Sequence, residues 1–377
     1  MYLAIREIRF AKGRYALIAV IMLLVSFLVL FVTGLARGLA YDNAASIQNM
    51  SATHFMMEKD ANHRFTRSQI GEQALGQASR VVGENKAEPL GVRMTTVTAE
   101  GAAGKLDVTL LGMRPEGWLM PSTVEGAAIS PQGTGQVLVD RKLKESGVGL
   151  GTVIVDQATG TKWTVGGFVS EESFSHSPAV ILSLSDWRQL QLKSSASLAG
   201  GAGGAGDGAM YSAIAVKATK SQAEQLAAAQ PDAEVVAKPD AVSAIPGYKE
   251  EQGSLWMMIV FLFIISSFVL GVFFYVITIQ KSSQFGILKA IGTRTAYLAR
   301  SVAFQVLLLT AGSLVVSILL VQAMAAFLPD GMPFRLQASA LALTSGAFIA
   351  MSLAGSLLSV WKVARIDALD AIGRTAA

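Results

Sequence analysis

Polarity along this chain is blocked rather than evenly mixed. Residues 15–36, 252–280, 301–329 and 336–361 contain no Asp, Glu, Lys or Arg, and a charged residue bounds each stretch on both sides. A helix rises about 1.5 Å per residue, so roughly 20 residues cross the hydrocarbon layer and every stretch is long enough to span it. The two longest, 252–280 and 301–329, exceed that thickness by about two turns and are expected to tilt or project. Between the first and second stretches, residues 38–251 have ordinary globular polarity. The pattern predicts a membrane α-helical protein, four transmembrane helices and one large domain.

Within 38–251 the pattern changes again. Residues 38–61 are free of Pro and Gly after Leu39, which predicts that the first span continues as a helical stalk. Segments 92–99, 106–111, 136–139, 152–155, 163–169 and 179–182 are short, β-branched and separated by Gly, Pro or Asp, as strands are. Residues 185–192 open on a serine and an acidic residue and read as a short helix. Residues 194–208 are almost entirely Gly, Ala and Ser, a flexible loop. A strand over 211–218, a helix over 221–229 and a return to the membrane over 239–251 complete a mixed α/β domain.

Composition sharpens this reading. Mean hydropathy is +0.46 and 15% of the 377 residues are charged, too few for an ordinary soluble surface. There is no cysteine, which excludes disulfides, thiolate metal sites and thiol catalysis. The net charge of +4 matters through its placement. Arg6, Arg9, Lys12 and Arg14 precede the first span, and Lys281, Lys289, Arg294 and Arg300 follow the second with no acidic residue among them. The positive-inside rule puts both groups in the cytoplasm, hence both termini inside and 38–251 extracytoplasmic. The expected organisation is 1–37, an N-terminal helix and first span; 38–251, the extracytoplasmic stalk and domain; 252–280, 301–329 and 336–361, the other spans; 281–300, a cytoplasmic element; and 362–377, a cytoplasmic tail. Residues 2–14 alternate Leu3, Ile5, Ile8 and Phe10 with basic residues, as an interfacial helix or a charged flank would. The first apolar core is too long for a secretory signal and is expected to remain as an anchor.

The segment 280–305, QKSSQFGILKAIGTRTAYLARSVAFQ, resembles the signature after the second span of FtsX-like and MacB-type ABC permeases. Lys281 fills the basic position of that motif, and Gly286, Ile287, Leu288, Lys289, Ala290, Ile291 and Gly292 match its run. Gln284 stands where Glu is usual, which removes an ionic contact there. Arg365, Ile366, Asp367 and Ala371 are similar to the family's closing pattern, with Ala368 in place of proline and Ile372 in place of leucine. The span order agrees along the whole length, and segments 135–140, 149–155, 163–169 and 179–187 are similar to the MacB-type core domain. Within the family the chain looks closest to the permeases of bacterial haem exporters. The resemblance implies a permease homodimer in the cell membrane and a separate ABC ATPase in two copies.

The chain itself has no G-x-x-x-x-G-K-[ST], and its dense glycine tract at 200–208 has no lysine to reach a phosphate. ATP is therefore expected to be bound by the partner, with no intrinsic cofactor in this subunit. Phe285, Leu288 and Ile291 at i, i+3 and i+6 give an apolar stripe, flanked by Lys281, Lys289 and Arg294, that suits a groove on a soluble partner. A cytoplasmic helix lying on phospholipid is the alternative. Gly286 and Gly292 would permit close approach or a sharp turn at its ends.

For a substrate, a helical stalk would place Met50, His54, Met57 and Glu58 on one face at i, i+4, i+7 and i+8. His and Met are axial ligands of haem iron, Glu58 could offer an oxygen, and Phe55, Met257 and Met258 could supply apolar surroundings. Ordinary packing of a Met-rich stalk explains the same residues. His63 and His176 are isolated and expected to be solvated. Two function classes follow: an exporter of haem, a peptide, a lipid or another amphiphile, and a mechanotransmission or sensory protein without cargo. An enzyme is disfavoured, since neither G-x-S-x-G nor H-E-x-x-H occurs, and no nucleic-acid partner is expected.

Overall fold

The computed structural model describes residues 10, 12–100, 104–131, 133–198, 209–329 and 331–364. The expected interfacial helix before residue 10, the glycine tract 200–208 and the closing motif 365–374 lie outside these residues. The chain divides into two compact units, a helical one built from the apolar stretches and a mixed one covering Leu39–Gln252.

Four helices are long and apolar enough to cross a membrane, which makes this a membrane protein. They are α1 (Lys12–Asp42), α7 (Tyr248–Gln280), α9 (Thr295–Ala325) and α10 (Ala338–Ala364), with the short α8 (Ser282–Ala290) between the second and third. Apolar side chains gain little by leaving lipid for one another, so close backbone approach and interhelical hydrogen bonds decide which faces meet. Small residues mark those faces here. On α1 and α9, Ser26 and Ser317 share a 2.6 Å hydrogen bond, while Ser317 and Ser313 donate to the carbonyls of Leu23 and Ala19 at 3.0 and 3.2 Å. On α7 and α10, a Cβ added at Gly355 would lie 2.7 Å from the Ser267 carbonyl oxygen, and one at Gly271 would lie 3.0 Å from that of Gly355. The backbones touch there, which only glycine allows.

The mixed unit has two parts. β1 (His54–Glu58) lies between β13 (Ala233–Ala237) and β12 (Ala213–Val216), and β12 pairs with the start of β3 (Ala87–Ala99), all antiparallel. With α3 (Glu72–Val82) after β1 and α5 (Lys220–Ala229) after β12, the chain reads β-α-β-β-α-β in the spatial order 4-1-3-2, a ferredoxin-like arrangement. The second part is inserted between β3 and β12. There β3 continues to β4 (Lys105–Met113), then β10 (Ser177–Ser183), β6 (Gln136–Asp140), β8 (Lys162–Val169) and β7 (Val153–Asp156), which returns to β3. Those six strands close a barrel, and closure leaves no free edge. Trp163, Val108, Leu110, Val137, Val139, Val165 and Val180 are buried in its core.

The expected strands are all present, displaced by a few residues at their ends. The helix expected over 185–192 is α4 (Leu184–Leu198), which runs into the stretch read as flexible. Its cap is Ser183 rather than Ser185, with the Ser183 hydroxyl accepting from the Asp186 amide at 3.1 Å.

The stalk differs from expectation. Helix α1 stops at Asp42, a five-residue helix α2 (Ala45–Asn49) follows, and His54–Glu58 is a strand. Alternation decides its packing: Met56 joins the core under α3 and α5, whereas Phe55 and Met57 join the opposite core with Ile47, Met50 and Phe65. A central strand covered on both faces reads as a continuous apolar run, so its sequence carries no period-2 signal.

Candidate functional site

The segment between α7 and α9 forms a helical hairpin whose hinge is one residue. Lys281 (φ −100°, ψ 6°) separates α7 from α8. Its amide donates to the Ile277 and Thr278 carbonyls at 3.1 and 3.2 Å, and its carbonyl accepts from the Phe285 amide at 3.0 Å, so it ends one helix and starts the next. Helix α8 closes on Gly292 at φ 96°, a conformation that favours glycine, with the Thr293 amide donating to the Leu288 carbonyl at 3.0 Å. Gly286 lies inside the helix and is buried, not at a turn.

The apolar stripe expected of α8 is divided by its packing. Phe285 is 2% exposed and packs on Leu298 and Val302 of α9, with Leu288 partly buried against them. The outward face carries Gln284, Ile287 and Ile291, the last 78% exposed. Lys281 is buried as well, Lys289 is half-buried and Gly292 is exposed. Of the residues expected to meet a partner, Ile291 and Gly292 are outside, while Lys281, Phe285 and Gly286 are inside. Ile287, which the motif run includes but the expected stripe leaves out, shares the outward helical face with Gln284 and Ile291 at i, i+3 and i+7.

The buried Lys281 ammonium donates to the Tyr15 hydroxyl at 2.6 Å and lies 4.8 Å from that ring's centroid. Tyr15, on α1, donates in turn to Gln305 Oε1 on α9 at 2.8 Å. A cavity of about 20 Å³, room for a single water, lies among Tyr15, Thr278, Lys281, Phe285 and Gln305. The signal that could have found this cluster is a tyrosine and a glutamine, Tyr15 and Gln305, inside charge-free stretches.

The residues proposed for haem do not share a face. Met50 and Met57 are buried in the apolar core beneath the sheet. His54, half-buried, points to the other side of β1 from Met57, with Nδ1 3.0 Å from the Thr53 hydroxyl. Glu58 is half-buried and accepts from the Gln69 amide at 3.1 Å. Met257 and Met258, in the helical unit on α7, are exposed. Among the described residues no three His, Asp or Glu side chains converge as metal donors.

Both remaining histidines have partners. His63 lies 2.7 Å from Glu234 Oε1. His176 Nε2 lies 3.0 Å from Glu251 at the start of α7, and its Nδ1 3.6 Å from Asp42 at the end of α1. Asp42 also meets Lys142 and accepts from the Ser173 hydroxyl at 2.7 Å, and Asn43 donates to Glu251 at 2.6 Å. Glu171, Ser175 and His176 adopt φ of 58°, 50° and 62°, so strained backbone delivers this loop to the two helix ends. Next to it, burial pushes the Glu172 carboxyl up to about 7, while Ser46 and Asn49 pull down and Asp140 and Glu171 push further up. Asn49 acts through a long 3.4 Å bond and Ser46 through proximity, since its buried hydroxyl makes no bond of normal geometry among the described residues. Burial likewise raises the Asp140 carboxyl, against the amide bonds it accepts from Lys142 and Glu172.

Residues 256–368 match the model of the FtsX-like permease C-terminal family. Over 374 residues, 99% of both chains, it is 29% identical to a Staphylococcus haemolyticus protein that bears the name hemin transport system permease protein HrtB. Its identity to a Staphylococcus epidermidis protein of the same name is 28%, with the same coverage. Among solved structures, the extracellular domain of the noncanonic ABC-type transporter YknZ from Gram-positive bacteria aligns with a TM-score of 0.33 at 15% identity, covering 49% of this chain and 98% of that one.

Proposed function

We propose that this chain is the permease subunit of an ATP-driven haem exporter, working as a homodimer in the cell membrane with two copies of a separate ATPase. The observation that carries this reading is the similarity to permeases named for hemin transport over 99% of both chains. A match of that extent includes the mixed domain and all four spans, not the permease domain alone. The Lys and Arg asymmetry around the spans supports cytoplasmic termini and an extracytoplasmic mixed domain.

In this reading the ATPase docks on the outward face of α8, through Ile287 and Ile291, and the cycle of ATP binding and hydrolysis moves the hairpin. For the cargo, Met257 and Met258 are the candidates that meet an apolar macrocycle without unpacking the mixed domain, because Met50 and Met57 are core residues. The test is to purify the chain with its ATPase in lipid nanodiscs and titrate hemin, following ATP hydrolysis and the Soret band together. Stimulation of hydrolysis with a saturable spectral shift is expected. Hydrolysis indifferent to hemin but responsive to an extracytoplasmic protein would replace export with transmission of force.

A further inference from the structure

The hinge of the hairpin points into the helical unit, not towards a partner. Lys281 separates α7 from α8, and its carbonyl accepts the Phe285 amide that begins α8. Its ammonium is buried, 2.6 Å from the Tyr15 hydroxyl of α1, and Tyr15 passes a 2.8 Å hydrogen bond to Gln305 of α9. Phe285, from the inner face of α8, lines the same small cavity. Three long helices and the hairpin therefore meet around one cation. We infer that Lys281 and Tyr15 form a mechanical link that carries displacement of α8 into α1, which makes Lys281 a positioning residue rather than an ATPase contact.

The argument is one of solvation. A buried ammonium has given up much of its hydration shell, and its hydrogen-bonded partners offset that loss. When α8 swings, the backbone of Lys281 swings with it, because that residue belongs to the first hydrogen bond of the helix. The ammonium then either keeps Tyr15 and draws α1 along, or abandons it and remains buried without that oxygen. The second course is the costlier, so α1 follows. Leu17, Val20, Leu24 and Leu28 form the exposed stripe of α1, spaced i, i+3, i+7 and i+11, and they would shift with it. A docking lysine would stand outside with Ile291 instead.

This inference rests on α8 being the docking element, and the experiment separates the two. The chain has no cysteine, so a single one introduced at Val20 can carry a spin label without interference. The full permease is assembled with its ATPase in nanodiscs, and three quantities are followed: co-elution of the ATPase, the spectral change of the label on adding ATP, and hemin efflux per ATP hydrolysed. Lys281→Met and Tyr15→Phe are each expected to retain the ATPase, to abolish the label response and to lower efflux per ATP at least tenfold. The double variant should be no worse than either single one, and Lys281→Arg, which keeps the cation, should retain the response. Tyr15→Phe removes one oxygen and carries the test if Lys281→Met fails to fold. Loss of the ATPase in Lys281→Met would make Lys281 a docking residue and overturn the link. An unchanged label response in both variants would reduce the cluster to packing. Failure of the unaltered permease to retain any ATPase would overturn the docking reading beneath it.

Discussion

Glu172→Gln should make the mixed domain more stable at neutral pH, although it removes a charge from a region that also holds Lys142 and His176. Glu172 is 5% exposed, and burial is the main reason its carboxyl is raised from an ordinary 4.5 to about 7. Between those values the native protein binds a proton that the unfolded chain has released, so stability is full below about pH 4.5 and falls as pH rises through 7. A difference of about 2.5 units at roughly 1.4 kcal/mol each makes the loss on the order of 3 kcal/mol. Glutamine keeps the carbonyl oxygen that accepts from Asn49 and has no proton to lose. For a domain of about 200 residues, that energy corresponds to roughly 6–12 °C in Tm. The assay is thermal unfolding of the full chain in detergent, read by the fluorescence of the buried Trp163, every half unit from pH 5 to 8. The difference between Glu172→Gln and the unaltered protein should grow across that range and then level off. A constant difference would show that Glu172 is ionised in the folded domain and refute the reasoning.

Ile291→Asp should weaken ATPase binding about thirtyfold or more, the scale of a lost interface anchor, while Phe285→Ala should lower thermal stability through its packing on Leu298 and Val302; pull-down and melting curves separate the two. Gly355→Val should destabilise the α7–α10 crossing by about 1–3 kcal/mol, because its Cβ would meet the Ser267 carbonyl, whereas Gly312→Ala, with open space around it, should be neutral in the same detergent melts. Met57→Ala should cost about 2–5 kcal/mol of domain stability and leave the hemin spectrum of the folded protein unchanged, while Met257→Ala should do the reverse.

The spans were legible because a membrane helix is written in composition alone: about twenty residues without charge admit few other solutions. The barrel strands were legible one by one, since Gly, Pro and Asp punctuate them, but barrel closure was not. It depends on β7 pairing with both β3 and β8, and no local pattern encodes that. At His54–Glu58 the sequence misled. Met50, His54 and Met57 happen to fall at helical spacing, while tertiary pairing with β12 and β13 decides the conformation. In the hairpin, residue types identified the element, yet which side of α8 faces out is fixed by Phe285 meeting α9. Lys281 reads as one more cytoplasmic cation until Tyr15 and Gln305 are found beside it.

The order of strands in the sheet sets a timetable for biosynthesis. His54 of β1 pairs with Val216 and Ala237, so the first strand made after the first span has no partner until some 160 residues later. At about 5–20 residues per second, that interval is roughly ten to thirty seconds. Throughout it the segment His54–Glu58, with Phe55, Met56 and Met57 destined for burial on opposite faces, is adhesive to any strand it meets. The barrel strands emerge during that wait and find one another first, so the insert folds inside a host that is still unfinished. A cell making this protein must shield those few residues before the domain that will cover them exists.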